Sequence, residues 1–258
     1  MPTGNDHLLA RDLAAAAGER LLGLRAQGGE PGLLRKAGDR LSHEFLTAKL
    51  AAWRPGDVVL SEEGADDPAR LAARRVWIVD PLDGTREFGE PGRTDWAVHV
   101  ALWERSDAGG DLTAGAVALP AQGRVLSTVP GQGAVVAGNG AGPGRVRIVV
   151  SRTRAPRFVQ KISDLFEVEL VPLGSAGAKV AAVVCGEADA YVHAGGFYEW
   201  DTAAPVAVAR AAGCHASRID GSPLAYNQVN LLMPDILVCR PALAGVLLQA
   251  IREVTNAP

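Results

Sequence analysis

The stretch Val76-Trp77-Ile78-Val79-Asp80-Pro81-Leu82-Asp83-Gly84-Thr85-Arg86-Glu87-Phe88 decides how the rest of the chain is read. Its first four residues are β-branched or aromatic and run up to a breaker, the pattern of a short buried strand. Pro81 has no amide hydrogen to give a ladder, so the strand is predicted to stop near Asp80. A turn there brings Asp80 and Asp83 to one side, at the carboxyl end of the strand, where open α/β sheets place their ligands. Gly84 and Thr85 then offer backbone N–H groups at the start of a predicted helical turn, which suits an anion. Two hard oxygen ligands beside an anion cradle point to Mg²⁺ and phosphate chemistry. Asp, Pro and Gly are also ordinary turn residues, so the stretch alone leaves a plain surface turn open.

A chain of 258 residues can bury a sizeable core as one large domain or two smaller ones. Its apolar share of 48% and charged share of 21% are those of a soluble globular protein. No apolar run reaches the roughly 18 residues of a membrane span, and the start lacks a signal peptide's basic and apolar regions, so a cytoplasmic protein is expected. Cys185, Cys214 and Cys239 are far apart and fit no zinc spacing or disulfide framework. A formal net charge of −3 argues against a nucleic acid polymer as partner while leaving room for a small phosphorylated ligand.

Around the opening stretch, helical spacing of Leu9, Leu13, Ala16, Ala17, Leu21 and Leu24 predicts a first helix, capped at Asp6 and running to about Gln27. A second helix is predicted from about Asp39 to Trp53. Val58 to Leu60 should form a short strand leading into Glu62 and Glu63, and Asp66 to Ala73 a short helix. Trp96 to Trp103, Leu112 to Leu119 and Arg124 to Val129 read as an antiparallel meander. The glycine-rich Gly138–Gly144 is the best linker. Beyond it strands at Val146–Val150, Val168–Val171, Ala190–Val192 and Ile236–Cys239 alternate with helices near Pro156–Phe166, Ser175–Cys185, Asp201–Ala212 and Pro241–Val254. The expected organisation is two layered α/β units with a cleft between them: 1–140, a metal-binding α+β half, and 145–258, an α/β half closing the substrate cleft.

Glu62 follows one strand and Asp80 another, while Trp200-Asp201-Thr202-Ala203-Ala204-Pro205 places a carboxylate at a predicted helix start. Singly, Glu62 reads as a surface acid and Asp201 as an N-cap with Pro205 in the first turn. If Glu62, Asp80, Asp83 and Asp201 converge, each pair about 5 Å apart repels by roughly 3 kcal/mol at an effective dielectric near 20. Cations between them would relieve this, and all-oxygen ligands favour Mg²⁺ over zinc. Two such ions serve a hydrolytic phosphatase that needs no enzyme nucleophile. His99 and His193 read as ordinary strand or loop histidines.

Taken together, Asp80-Pro81-Leu82-Asp83-Gly84-Thr85, Trp200–Pro205 and the upstream Glu62-Glu63 resemble the Mg²⁺-dependent, lithium-sensitive inositol monophosphatase superfamily over nearly the whole chain. Arg86-Glu87-Phe88, Gly174–Lys179 and Asp220–Asn227 resemble its CysQ-type 3′(2′),5′-bisphosphate nucleotidases. The resemblance implies an α-β-α-β-α layered sandwich and hydrolysis of 3′-phosphoadenosine 5′-phosphate (PAP) to AMP and phosphate, in sulfate assimilation. It implies two or three Mg²⁺ ions. Glu62, Asp80 and the Leu82 carbonyl would hold the first, and Asp80, Asp83 and Asp201 the second. It further implies Gly84 and Thr85 on the scissile phosphate and Ser151, Ser175 and Lys179 on the nucleotide, with Lys179 suited to a second phosphate. Thr85 with Asp39 would polarise the attacking water, although Asp39 also reads as a helix N-cap, and Ser175 could equally cap its own helix. Trp200 is expected at the wall of the site. The assembly compatible with this reading is a homodimer. Inositol 1-phosphate or fructose 1,6-bisphosphate is the alternative substrate, against which Arg86-Glu87 speaks. A non-catalytic binding or regulatory protein is opposed by the complete acidic set.

Overall fold

The computed structural model describes residues 5–107, 109–131, 145–153, 155–165 and 167–256. Strand parity sets its layers. In β2 (Arg75–Asp83), Val76 and Ile78 enter one apolar cluster while Trp77 and Val79 enter another. β3 (Ala97–Glu104) repeats the split, with Ala97, Ala101 and Trp103 on one side and Val98, Val100 and Leu102 on the other. Strands buried on both faces read as continuous apolar runs. β1 (Val58–Ser61) pairs parallel with β2, β2 pairs antiparallel with β3, and β3, β4 (Asp111–Leu119) and β5 (Arg124–Ser127) form the predicted antiparallel meander. A second sheet has the order β7-β6-β8-β10-β9, built from β6 (Val146–Ser151), β7 (Val168–Leu173), β8 (Ala190–Tyr198), β9 (His215–Ser217) and β10 (Leu232–Cys239).

Helices α1 (Asp6–Ala26) and α2 (Pro31–Trp53) cover the outer face of the first sheet, and α3 (Thr85–Gly89) follows β2 directly. α4 (Arg157–Leu165) and α7 (Ala244–Asn256) cover the outer face of the second. Between the sheets lie α5 (Ala176–Val184) and α6 (Glu199–Ala211), whose small apolar residues pack on both. The result is the expected α-β-α-β-α sandwich, with the largest apolar cluster in its shared middle layer.

Several local expectations are corrected. Asn5, not Asp6, caps α1, its Oδ1 accepting from the His7 and Leu8 amides at 2.9 and 3.3 Å. Asp6 instead pairs with Arg54 and Arg75. α2 begins eight residues earlier than Asp39, because Pro31 occupies a first-turn position where its missing N–H costs nothing and Glu30 caps the Gly32 and Leu33 amides. Asp39 therefore stands in mid-helix and caps nothing. Asp66 to Ala73 holds only a 3-10 turn, Pro68–Leu71, and β8 continues six residues beyond Val192. α6 starts at Glu199, so Asp201 is its third residue and Pro205 lies in its second turn. β9 has no counterpart among the expected strands. The glycine-rich Gly138–Gly144, with the boundary between 1–140 and 145–258, lies outside the described residues.

Candidate metal centre

β2 does not stop at Asp80. Asp80 pairs with His99 and Asp83 with Ala97, so β2 carries one more residue than β3 across this interval. That is a bulge, at the position where Pro81 has no hydrogen to donate. In a regular strand, residues three apart point to opposite faces; the extra residue restores their parity. The Leu82 amide donates to Asp80 Oδ1 at 3.0 Å and closes the turn. Asp80 and Asp83 are both buried, and α6 brings Asp201 against them. One carboxylate oxygen from each of the three lies within 4.8 Å of the others. The Asp201 carboxylate is oriented by the Tyr198 amide, which donates to its Oδ2 at 2.6 Å.

Glu62, just past β1, joins the three aspartates in the lining of a cavity of about 660 Å³ between the two halves. Burial raises the Asp80 carboxyl well above its ordinary range, and the charges of Glu62, Asp83 and Asp201 add to this. Glu62 opens to solvent on one side, yet the protein around it and the charges of Asp201, Asp83 and Glu63 push it up to about 7, against a hydrogen bond to Asp80. Asp201 is pushed up to about 6, by burial first and Asp83 second. Burial works on Asp83 in the same sense, but His99, Lys179 and the Ser175 hydroxyl outweigh it and hold its carboxyl below the usual range. Glu62, Asp80 and Asp201, whose ionisation burial and their acidic neighbours suppress, and Asp83, whose charge is favoured, are all oxygen donors facing one space and fit divalent cations.

Gly84 has φ 82°, and a Cβ there would crowd the Asp95 carbonyl and the Ser175 side chain at 3.1 Å, so both its conformation and its surroundings require glycine. Thr85 opens α3, with Oγ1 3.0 Å from the Leu82 carbonyl and 3.4 Å from Asp39 Oδ1. Burial and the charge of Glu63 push Asp39 up to about 6. Gly84, Thr85 and Leu82 all line the cavity.

Ser151, Ser175 and Lys179 line the far wall. The Ser175 hydroxyl donates to Asp83 Oδ2 at 2.6 Å and accepts from the Ala178 amide at 3.0 Å, so it caps α5 and supports Asp83 at once. Lys179 is buried, and its Nζ donates to the Gly174 and Ser175 carbonyls, both at 2.9 Å. Arg86 and Arg152 also border the cavity. Arg152 is held by Glu87 and Glu90 at 2.7 and 2.8 Å. Trp200 is not among the lining residues and stacks on Tyr198, with ring centroids 4.8 Å apart.

Two groups of residues at the site lie outside the sequence expectations. Tyr191, His193 and Phe197 form an aromatic wall, with successive ring centroids 6.3 and 5.1 Å apart. Alternation along a full-length β8 puts Tyr191 and His193 on its inner face, which was the signal available for them. His99 lies behind Asp83 with its Nε2 3.2 Å from Oδ2. Its parity with Ala97 and Ala101 was the corresponding signal.

Five alternating layers around a cleft whose carboxylate cluster could hold a metal ion define a layered α/β protein with a candidate cation site. The inositol monophosphatase family model matches residues 10–256. The chain is 53% identical over 258 residues to a 3′-phosphoadenosine 5′-phosphate phosphatase of Mycobacterium leprae, covering 96% of this chain and 94% of that protein. It is 54% identical over 243 residues to a Mycobacterium tuberculosis protein of the same name, covering 92% and 90%. Among solved structures, CysQ from Bacteroides thetaiotaomicron superposes with a TM-score of 0.75 at 29% identity, over 91% of this chain and 97% of that one. The chain belongs to the inositol monophosphatase family, whose members are metal-dependent.

Proposed function

We propose that this protein is a Mg²⁺-dependent phosphatase that hydrolyses the 3′-phosphate of PAP to give AMP and phosphate in sulfur assimilation. The carrying observation is the convergence of Asp80, Asp83 and Asp201 on one cavity, in a chain 53% identical to a relative that bears the name of this activity. Glu62, Asp80 and the Leu82 carbonyl would hold one Mg²⁺, and Asp80, Asp83 and Asp201 a second. Bound there, the ions would offset the carboxylate charge, acidify a water and stabilise charge developing on the phosphate. The Gly84 and Thr85 amides would take the scissile phosphate, as N–H groups at a helix start do. Asp39, pushed up to about 6, is matched to accept a proton near neutral pH, with Thr85 Oγ1 beside it to orient the attacking water. Lys179 gives two carbonyls two of its three protons and keeps the third for the second phosphate, beside Ser151 and Ser175, with Arg86 and Arg152 bordering the same space. Tyr191, His193 and Phe197 offer aromatic faces for a base. No helix among the described residues is long and apolar enough to cross a membrane, in keeping with a cytoplasmic enzyme on a soluble nucleotide. A homodimer is the proposed assembly, which sedimentation would check.

The test is phosphate release from PAP, inositol 1-phosphate and fructose 1,6-bisphosphate, each with Mg²⁺ and with EDTA. EDTA-sensitive release from PAP in preference to the others is expected. Release mainly from a sugar phosphate would overturn the nucleotide assignment, and release insensitive to EDTA the metal assignment.

A further inference from the structure

His99 is wholly buried in β3 and does not line the cavity, so it is not itself a ligand or a substrate contact. Its surroundings are unusual for a core histidine. Nδ1 lies 3.1 Å from the Trp200 carbonyl, and since a carbonyl only accepts, Nδ1 carries a proton, so the ring attracts a carboxylate on its other side when Nε2 is protonated too. Nε2 lies 3.2 Å from Asp83 Oδ2, at ion-pair distance but with no aligned hydrogen bond of its own. The same Oδ2 accepts from Ser175 Oγ at 2.6 Å and from the Gly177 amide at 2.8 Å. Those two bonds use both of its lone pairs, and the imidazole closes the remaining approach. The contact is built in on the other side too, because a Cβ on Gly177 would overlap His99 Nε2 and press on Ala97 and Val117.

We infer that His99 is a positioning residue for the metal centre, holding Asp83 through one carboxylate oxygen and Asp201 through the carbonyl of the residue before it. The inference rests on the proposed reading of Asp83 and Asp201 as ligands of one cation. With Oδ2 enclosed, Asp83 turns a single oxygen to the cavity. The Trp200 carbonyl belongs to the first turn of α6, so the same ring sets where Asp201 stands. One side chain on β3 thus ties together ligands that come from β2 and α6, through the groups that orient them rather than through the ion.

The experiment is a calorimetric titration of the substrate-free protein with Mg²⁺, beside the Mg²⁺ dependence of phosphate release from PAP, for wild type, His99→Leu and His99→Gln. Loss of a group that orients a ligand is expected to weaken Mg²⁺ binding about 10- to 100-fold in His99→Leu. KM for PAP at saturating Mg²⁺ should move less than about threefold, and His99→Gln, whose amide keeps a donor, should recover most of the affinity. Mg²⁺ affinity of His99→Leu within twofold of wild type would overturn the proposal. So would equal weakening in both variants, which would reduce the effect to packing. If His99→Leu does not fold, Ser175→Ala removes a donor from the same oxygen, and unchanged Mg²⁺ affinity there would overturn the proposal equally. A wild-type protein that binds no Mg²⁺ would overturn the metal reading itself, whereas wild-type binding with unaffected variants would overturn only the role of His99.

Discussion

Without cations, the folded protein is predicted to lose stability as pH rises, and Asp201 allows the loss to be worked out. Burial and the charge of Asp83 raise its carboxyl from 3.8 to about 6. A carboxyl that holds its proton more tightly in the fold contributes stability that is complete below 3.8 and is lost as pH climbs through 6. At 1.36 kcal/mol per pKa unit the whole loss is about 3 kcal/mol, of which about 2 kcal/mol falls between pH 4.5 and 7.5. For a chain of this size that corresponds to roughly 4–8 °C in Tm. The assay is thermal unfolding in EDTA of wild type and Asp201→Asn, whose side chain still offers an acceptor to the Tyr198 amide but does not titrate. The Tm of wild type relative to the variant should fall by roughly 4–8 °C across that interval. At pH 7.5, Mg²⁺ at 100 times its Kd should add about 2.7 kcal/mol to wild type and much less to the variant. The same pH dependence for both proteins in EDTA would refute the reasoning that crowding of charge at this carboxylate is what the cations relieve.

Asp83→Asn is expected to lower PAP turnover by about 100-fold or more, since even groups that only orient metal ligands are worth 10- to 100-fold; near wild-type turnover in a folded variant would remove Asp83 from the ligand set. Gly177→Ala should cost about 1–3 kcal/mol by overpacking against His99, although alanine is the better helix former by about 1 kcal/mol. A guanidinium midpoint equal to or above wild type would contradict the close fit. If Asp39 takes the proton from water, kcat/KM should rise with pH along a limb near 6 that Asp39→Asn abolishes; a limb that survives the substitution belongs to another group. Lithium, with one charge in place of two, should inhibit by occupying the Asp83–Asp201 position, and turnover unchanged at lithium far above Mg²⁺ would argue against that.

Much of this site is legible in the sequence because its chemistry sits in short contiguous runs. The apolar residues Val76 to Val79 announce a strand buried on both faces, and the acids after it announce a ligand end. Geometry that depends on counting across strands is hidden. Nothing in Asp80-Pro81-Leu82-Asp83 states that one residue is extra; only the pairing with β3 shows it. Pro31 reads as a helix breaker, though proline is equally at home in a first turn, and this misplaces Asp39 by more than two helical turns. Ser175 and Lys179 have the right chemistry for a phosphate, but which acceptors they serve is decided by α5 docking on Asp83 and by the carbonyls at its own start. His99 is legible by parity, yet a lone histidine in an apolar strand is usually a packing residue, and only the fold shows the carboxylate behind which it stands.

The helical layer shared by the two sheets has a consequence for the order of synthesis. The inner face of the first sheet has its last strand by Ser127, but α6, which covers β2, β3 and β4, begins only at Glu199. About 70 residues must leave the ribosome while that apolar face waits for its cover. Truncated or stalled chains ending in this interval expose β-rich surface without the helix that shields it, and aggregation is their expected fate. The acidic cluster is equally late, since Asp201 arrives with the covering helix, so the ligand set is completed as that face is covered.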